Sequence, residues 1–180
     1  MAFKIPESLL LLLRARREDQ RRQRAERAVT TPVPDQGGNF IDTIRDLFAG
    51  RAPVEDTVQR YVHAMNSWQD EIEGAYDAFL LDPGMGPMTY LTADGRILQD
   101  ERGWDGDSIV EVTGYDAHAA LVVGARKTGI AELLDLMPAA PDGAVACPKC
   151  KGTRIAELAP GMGLNFPCAA CDCRGWVHAG

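Results

Sequence analysis

No stretch of this 180-residue chain is apolar for more than five residues, and Leu9–Leu13 is such a stretch. A membrane-spanning helix needs about 20. A secretory signal needs a longer apolar segment followed by small residues, where this chain has Arg14, Arg16 and Arg17. An organellar presequence would be poor in acids, and Glu7, Glu18, Asp19 and Glu26 stand in the way. The glycines Gly84, Gly86, Gly124 and Gly129 form no phosphate-cradling loop. Histidine is scarce. His63, His118 and His178 are all there is, and none pairs with a serine or cysteine in a pattern that suits nucleophilic catalysis. The expected protein is cytoplasmic, makes no membrane contact and is not an enzyme.

What is present is an ordinary globular composition, 46% hydrophobic and 25% charged, with a net charge of −7. The charge is unevenly placed. Residues 1–29 carry a net +4, residues 30–143 a net −13, and residues 144–180 a net +2. Only the two ends can approach a polyanion.

Residues 7–29 contain neither glycine nor proline and predict a helix, with Ser8 as its expected N-cap. Its apolar positions stop at Leu13, and beyond them it is polar all round. This reads as a docking arm for a protein partner. Leu9, Leu12 and Leu13 would grip that partner, and Arg17, Arg21 and Arg24 would meet an acidic surface on it. A solvated arm and an arm bound to nucleic acid are the alternatives. Residues 31–38 are a linker by composition. Phe40, Ile41, Ile44, Leu47 and Phe48 then fall at helical spacing. A second helical stripe runs from Val54 through Tyr76, Phe79 and Leu80, with a break expected near Asn66–Ser67 or Gly74, to a stop at Asp82-Pro83-Gly84. Asp94-Gly95 marks a hairpin between two β-prone runs, and Ser108–Thr113 predicts a third strand. Thr113 and Asp116 open a helix that Gly129 interrupts, and a short helix follows before the linker 139–146.

The cysteines stand at the far end. Cys147 and Cys150 form one C-x-x-C, and Cys168 and Cys171 form another 17 residues on. In a reducing compartment such pairs point to a metal rather than to disulfides. Two knuckles joined by a hairpin supply four thiolates to one zinc, at about 2.3 Å each. The expected site is closed and structural, because the module is too small for a core of its own. A thioredoxin-like motif would need a βαβ setting that neither pair has. An iron–sulfur cluster is the remaining rival.

CPKCKG resembles the C-x-x-C-x-G repeat of the DnaJ-type cysteine-rich domain. CAACDCRGW fits the longer C-x-x-C-x-G-x-G form if Cys173 takes the first glycine's place and Gly175 the second. The resemblance covers about residues 147–176. It implies Cys147, Cys150, Cys168 and Cys171 as zinc ligands, and a module that binds protein substrates. Two repeats rather than four imply one zinc, not two. No His-Pro-Asp tripeptide occurs, so no J-domain accompanies the module. Cys173 is then a free thiol beside the site, unless the register slips to a Cys171–Cys173 pair.

The acidic run around Trp104, with Asp100, Glu101, Asp105 and Asp107, matches no calcium-loop spacing and reads as turn chemistry. Trp104 and Trp176 are candidate partner anchors. The expected architecture is α+β: a basic helical arm (1–30), an acidic domain of helices on a small antiparallel sheet (39–138) and a C-terminal zinc ribbon (147–180). The expected role is a zinc-binding adaptor, assembly or chaperone-like protein, with a nucleic-acid-associated zinc ribbon as the rival.

Overall fold

A computed structural model describes residues 2–30, 49–50, 54–82, 87–102, 108–157, 163 and 165–179. The expected helix around Phe40–Phe48 and the anchor Trp104, with Asp105 and Asp107, lie outside the described residues.

Four strands, β1 (Ala78–Asp82), β2 (Met88–Thr92), β3 (Ile97–Asp100) and β4 (Ile109–Val112), form an antiparallel meander in the order β1-β2-β3-β4. Helices cover both faces. Phe79, Leu81, Leu91 and Ile97 point to one side, where they pack with Leu121 and Val122 of α3 (Gly114–Thr128) and Leu9 and Leu13 of α1 (Glu7–Thr30). Ala78, Met88, Tyr90 and Leu98 point to the other and pack with Ile72, Met65 and Trp68 of α2 (Val54–Tyr76). A sheet buried on both faces has no polar side, so its strands read as plain apolar runs.

That burial explains one departure from expectation. The helical stripe ends at Tyr76, and Ala78–Asp82 is a strand, not the helix's last turn. Asp77 makes the break, with φ at +45°. The expected interruption near Asn66–Ser67 or Gly74 is absent, and α2 runs through both. The N-terminal helix also starts two residues earlier than a Ser8 cap would have it. Leu10 donates its amide to the carbonyl of Pro6 (3.0 Å), so Ser8 lies inside the helix and does not cap it.

The larger correction concerns α1. It docks on its own chain. Leu9 and Leu13 are 4% and 3% exposed in the main core, beside Phe3. The same stripe continues at i+4 and i+3 spacing as Arg17, Arg21 and Arg24. These meet Asp77, Glu73 and Asp70, spaced the same way on and just beyond α2 and read in reverse. Arg17 donates to Asp77 (2.6 Å), Arg21 to Glu73 (2.9 Å), and Arg24 to Glu73 (3.0 Å) and Asp70 (2.8 Å). Arg14 adds a second bond to Asp77 (2.6 Å). The chain itself thus offers an apolar core to Leu9 and Leu13 and acidic partners to Arg17, Arg21 and Arg24. Leu12 and its neighbour Leu11 remain exposed, at 42% and 59%.

Burial pushes the Asp77 carboxyl up, but the Arg14 and Arg17 guanidiniums outweigh it and hold the group below the usual carboxylate range. A depressed carboxyl stabilises the fold above its unfolded pKa, so the contribution of this contact is present at neutral pH and lost on strong acidification.

The hairpin falls at Asp94-Gly95 as expected, but its loop is Ala93, Asp94 and Gly95, closed by Thr92 and Arg96, where the sequence predicts a two-residue turn. It also carries the N-terminus. Phe3 donates its amide to the Gly95 carbonyl at 2.7 Å. Gly95 has φ of +86°, and a Cβ there would lie 1.8 Å from the Phe3 carbonyl oxygen. Gly95→Ala is therefore expected to destabilise the protein by about 2 kcal/mol or more, through left-handed strain and loss of the Phe3 crossing. Chemical denaturation checks it, and a midpoint equal to wild type would refute the contact.

Candidate metal centre

Two short antiparallel ribbons build the C-terminal module. β5 (Ala144–Ala146) pairs with β8 (Trp176–His178), and β6 (Ile155–Glu157) pairs with β7 (Asn165–Pro167). The two knuckles therefore follow a local two-fold pattern: the strand before each pairs with the strand after the other. The backbone hydrogen bonds repeat it. Cys147 donates its amide to the Gly175 carbonyl (2.9 Å), and Cys168 to the Arg154 carbonyl (2.8 Å). Thr153 bonds back to Cys150, and Arg174 to Cys171, both at 3.0 Å.

This symmetry aligns Cys147–Arg154 with Cys168–Gly175. The two glycine places of the repeat are filled by Gly152 and Arg154 in the first knuckle, and by Cys173 and Gly175 in the second. All four have positive φ, at +86°, +66°, +59° and +85°. A Cβ on Gly175 would come within 2.8 Å of the Gly152 carbonyl oxygen, so that place needs glycine. Cys173 and Arg154 hold a left-handed backbone that L residues rarely adopt. Each departs from the glycine that the repeat would place there.

The four knuckle cysteines are free thiols, each at most 4% exposed. Their sulfurs lie within 4.8 Å of one another. Cys150 Sγ is 3.7 Å from Cys171 Sγ, and Cys147 Sγ is 4.0 Å from Cys168 Sγ. A tetrahedron with metal–thiolate bonds of about 2.3 Å has sulfur–sulfur edges of about 3.8 Å. Two edges of the set are close to that length and all lie within 4.8 Å, so the four thiols could hold a metal ion. The Gly175 amide also donates to Cys171 Sγ (3.3 Å), as ligand sulfurs commonly require from their surroundings. Burial pushes the Cys168 and Cys171 thiols up. Burial also raises Cys147, but the Cys150 and Lys149 amides and the adjacent thiols outweigh it and bring the group down to about 7. Four thiolates so close together would need a cation among them.

Cys173 is not part of this cluster. It is fully buried and belongs to the main hydrophobic core, with Leu121 and Leu133. Burial and the nearby Asp172 push its thiol up to about 12, so it is a neutral, apolar plug at physiological pH. Around it the module is tied to the domain. His118 Nδ1 lies 2.9 Å from the Asp172 carbonyl oxygen and 3.1 Å from its carboxylate. Tyr115 Oη donates to the Pro167 carbonyl (3.1 Å), and Trp176 Nε1 to the Pro138 carbonyl (3.3 Å). Trp176 is half-buried, flanked by Arg174 at 4.6 Å and His178 at 5.6 Å. His118 and Asp172 carry no local cue for this role, since 54 residues separate them.

The acidic run contributes no site among the described residues. Asp100 is 2% exposed and accepts three bonds from Arg102, two from its guanidinium (2.8 and 3.0 Å) and one from its amide (3.1 Å), as a structural pair.

No protein-family model, curated protein or solved structure matches this chain significantly. Among the described residues, no helix is long and apolar enough to cross a membrane.

Proposed function

We propose that this chain is a non-enzymatic zinc protein. One ion holds the ribbon rigid against the α+β domain, and the joined surface serves protein–protein contact as an adaptor, assembly or chaperone-like factor. The observation that carries the proposal is the set of four buried thiols at tetrahedral spacing. An all-thiolate tetrahedral set suits zinc first and iron second. Bound there, zinc would supply structural cross-linking, with no coordination position left open for substrate. Protein contact is supported by the likeness to the DnaJ-type repeat and by exposed Leu11, Leu12, Val145 and Phe166.

Native mass spectrometry of the full chain is expected to show one zinc. Iron, or no metal in a folded protein, would refute the site. Cys173→Gly is expected to retain that single zinc, because Cys173 faces the core and glycine tolerates its backbone. Loss of metal in that variant would make Cys173 a ligand. For the contact role, Leu12→Asp and Phe166→Asp are expected to weaken partner recovery in affinity purification while leaving zinc content unchanged. An unchanged partner list from both would sink the adaptor reading.

Nucleic-acid association is a second reading. Lys149, Lys151 and Arg126 are exposed and have no carboxylate partner among the described residues. Four arginines of α1, Arg14, Arg17, Arg21 and Arg24, are paired to acids on and just beyond α2 and so lend this reading little support. A mobility-shift assay at low and moderate salt decides the matter, and no salt-sensitive shift would end it.

A further inference from the structure

A cleft of about 210 Å³ opens where the ribbon meets α3 and the following 3₁₀ helix (Ala131–Leu136). Its walls are apolar: Val122 and Ala125 from α3, Leu134 from the 3₁₀ helix, and Ile155 from β6. The volume is small for a cofactor and suited to a single aliphatic side chain. Two cations, Arg126 and Arg154, stand among these walls.

Neither arginine has an ion-pair partner among the described residues, unlike Arg17, Arg21, Arg24 and Arg102. Arg154 is the more telling. Its Nε is buried and has no hydrogen-bond partner, as holds for the ion-paired Arg17 and Arg24 too, so what sets it apart is the lack of a carboxylate. Its backbone sits at φ +66°, in a place where the knuckle pattern takes glycine. Thr153 Oγ1 steadies the bend, lying 2.6 Å from the Cys150 carbonyl oxygen and 2.9 Å from that of Ile155, with its one proton shared between them. The Arg154 stem also lies close over Gly175, with Cγ 3.3 Å from where a Cβ would be. Two cations without a carboxylate partner among the described residues, beside an apolar slot, suit a ligand that is apolar and anionic within one residue's reach.

We propose that this cleft captures the C-terminal residue of a partner polypeptide. An aliphatic side chain, leucine-sized, enters the slot, and the free α-carboxylate pairs with Arg154 and Arg126. The inference rests on the proposed metal-held ribbon, because Thr153, Arg154 and Ile155 belong to the segment between the two knuckles. It also names the kind of partner the adaptor reading leaves open.

The test uses the full-length zinc-loaded chain and a dye-labelled hexapeptide ending in leucine with a free carboxylate, followed by fluorescence anisotropy. Saturable binding with a Kd on the order of 100 µM is expected for one anchored residue. The same peptide with an amidated C-terminus, and one ending in alanine, are each expected to bind about tenfold more weakly. Arg154→Gln is expected to lose about tenfold, and Ala131→Phe, which adds bulk to the slot from its exposed rim, to abolish binding. Circular dichroism and zinc content, measured on each variant, separate a lost site from a lost fold. Equal affinity for the amidated peptide, equal affinity in Arg154→Gln, or no saturation by roughly 1 mM peptide would overturn the proposal. Tight binding of hexanoate with none of the peptide would assign the cleft to a free fatty acid and overturn it too. If zinc is present at one per chain and the peptide fails, only this inference falls. If zinc is absent from the folded protein, the metal reading falls first.

Discussion

Cys171→Ser, or removal of the metal by a chelator, is expected to melt residues 144–178 and to weaken the whole protein. The module's ribbons are three residues long and cannot persist unaided. Metal binding to structural thiolate sites is worth about 10–16 kcal/mol in small zinc domains, and with zinc bound as proposed that free energy would be folding free energy. The damage would spread beyond the ribbon. Cys173 would leave the main core, and with it the packing of Ile155 and the His118–Asp172 contact. Those losses amount to about 3 kcal/mol and a fall in the thermal midpoint on the order of 10 °C. Calorimetry of the metal-loaded and chelated forms, with limited proteolysis of residues 139–180, measures both effects. A chelated protein that keeps its midpoint would show that ribbon and domain are independent.

Glu73→Ala is expected to be the most harmful single substitution outside the module. Glu73 is 1% exposed, accepts from Arg21, Arg24 and Gln69, and lies where α1 crosses the end of α2. Removing one partner of a buried ion pair costs about 3–5 kcal/mol. Arg21 is 35% exposed and Arg24 14%, so water partly compensates the stranded cations and the expected cost is about 2–3 kcal/mol. That corresponds to roughly 5–10 °C in the midpoint for a chain of this size. Glu73→Gln, which keeps the shape and loses the charge, should fall between. A change below about 0.5 kcal/mol in Glu73→Ala would mean that the arginine stripe contributes nothing to holding α1.

What sequence could reveal here was local. The Asp94-Gly95 hairpin and the two C-x-x-C pairs are decided by residues a few positions apart, and both stand where expected. Strand β1 was read as helix because AFLLD is buried on both faces and shows no alternation. The direction of the arginine stripe was not legible either. Its partners lie 46 to 63 residues away, and a helix that is polar on one stripe gives no sign of whose acids it meets. The place of Cys173 was legible as a substitution for glycine, and its left-handed backbone agrees. Its destination in the core was not, because that contact depends on how the module docks. Arg154 gave no signal until the two-fold pattern of hydrogen bonds aligned it with Gly175.

The burial of Cys173 has a bearing on how the chain reaches its native state. One core cluster joins Phe3, Leu9 and Leu13 near the start of the chain to Cys173 close to its end. During synthesis the sheet and α3 emerge well before that thiol does, so the nascent domain waits with an open seam above Leu121 and Leu133. Contacts of such long sequence separation form late and slowly. The growing chain therefore exposes apolar surface until its final knuckle closes, an interval in which aggregation competes with completion.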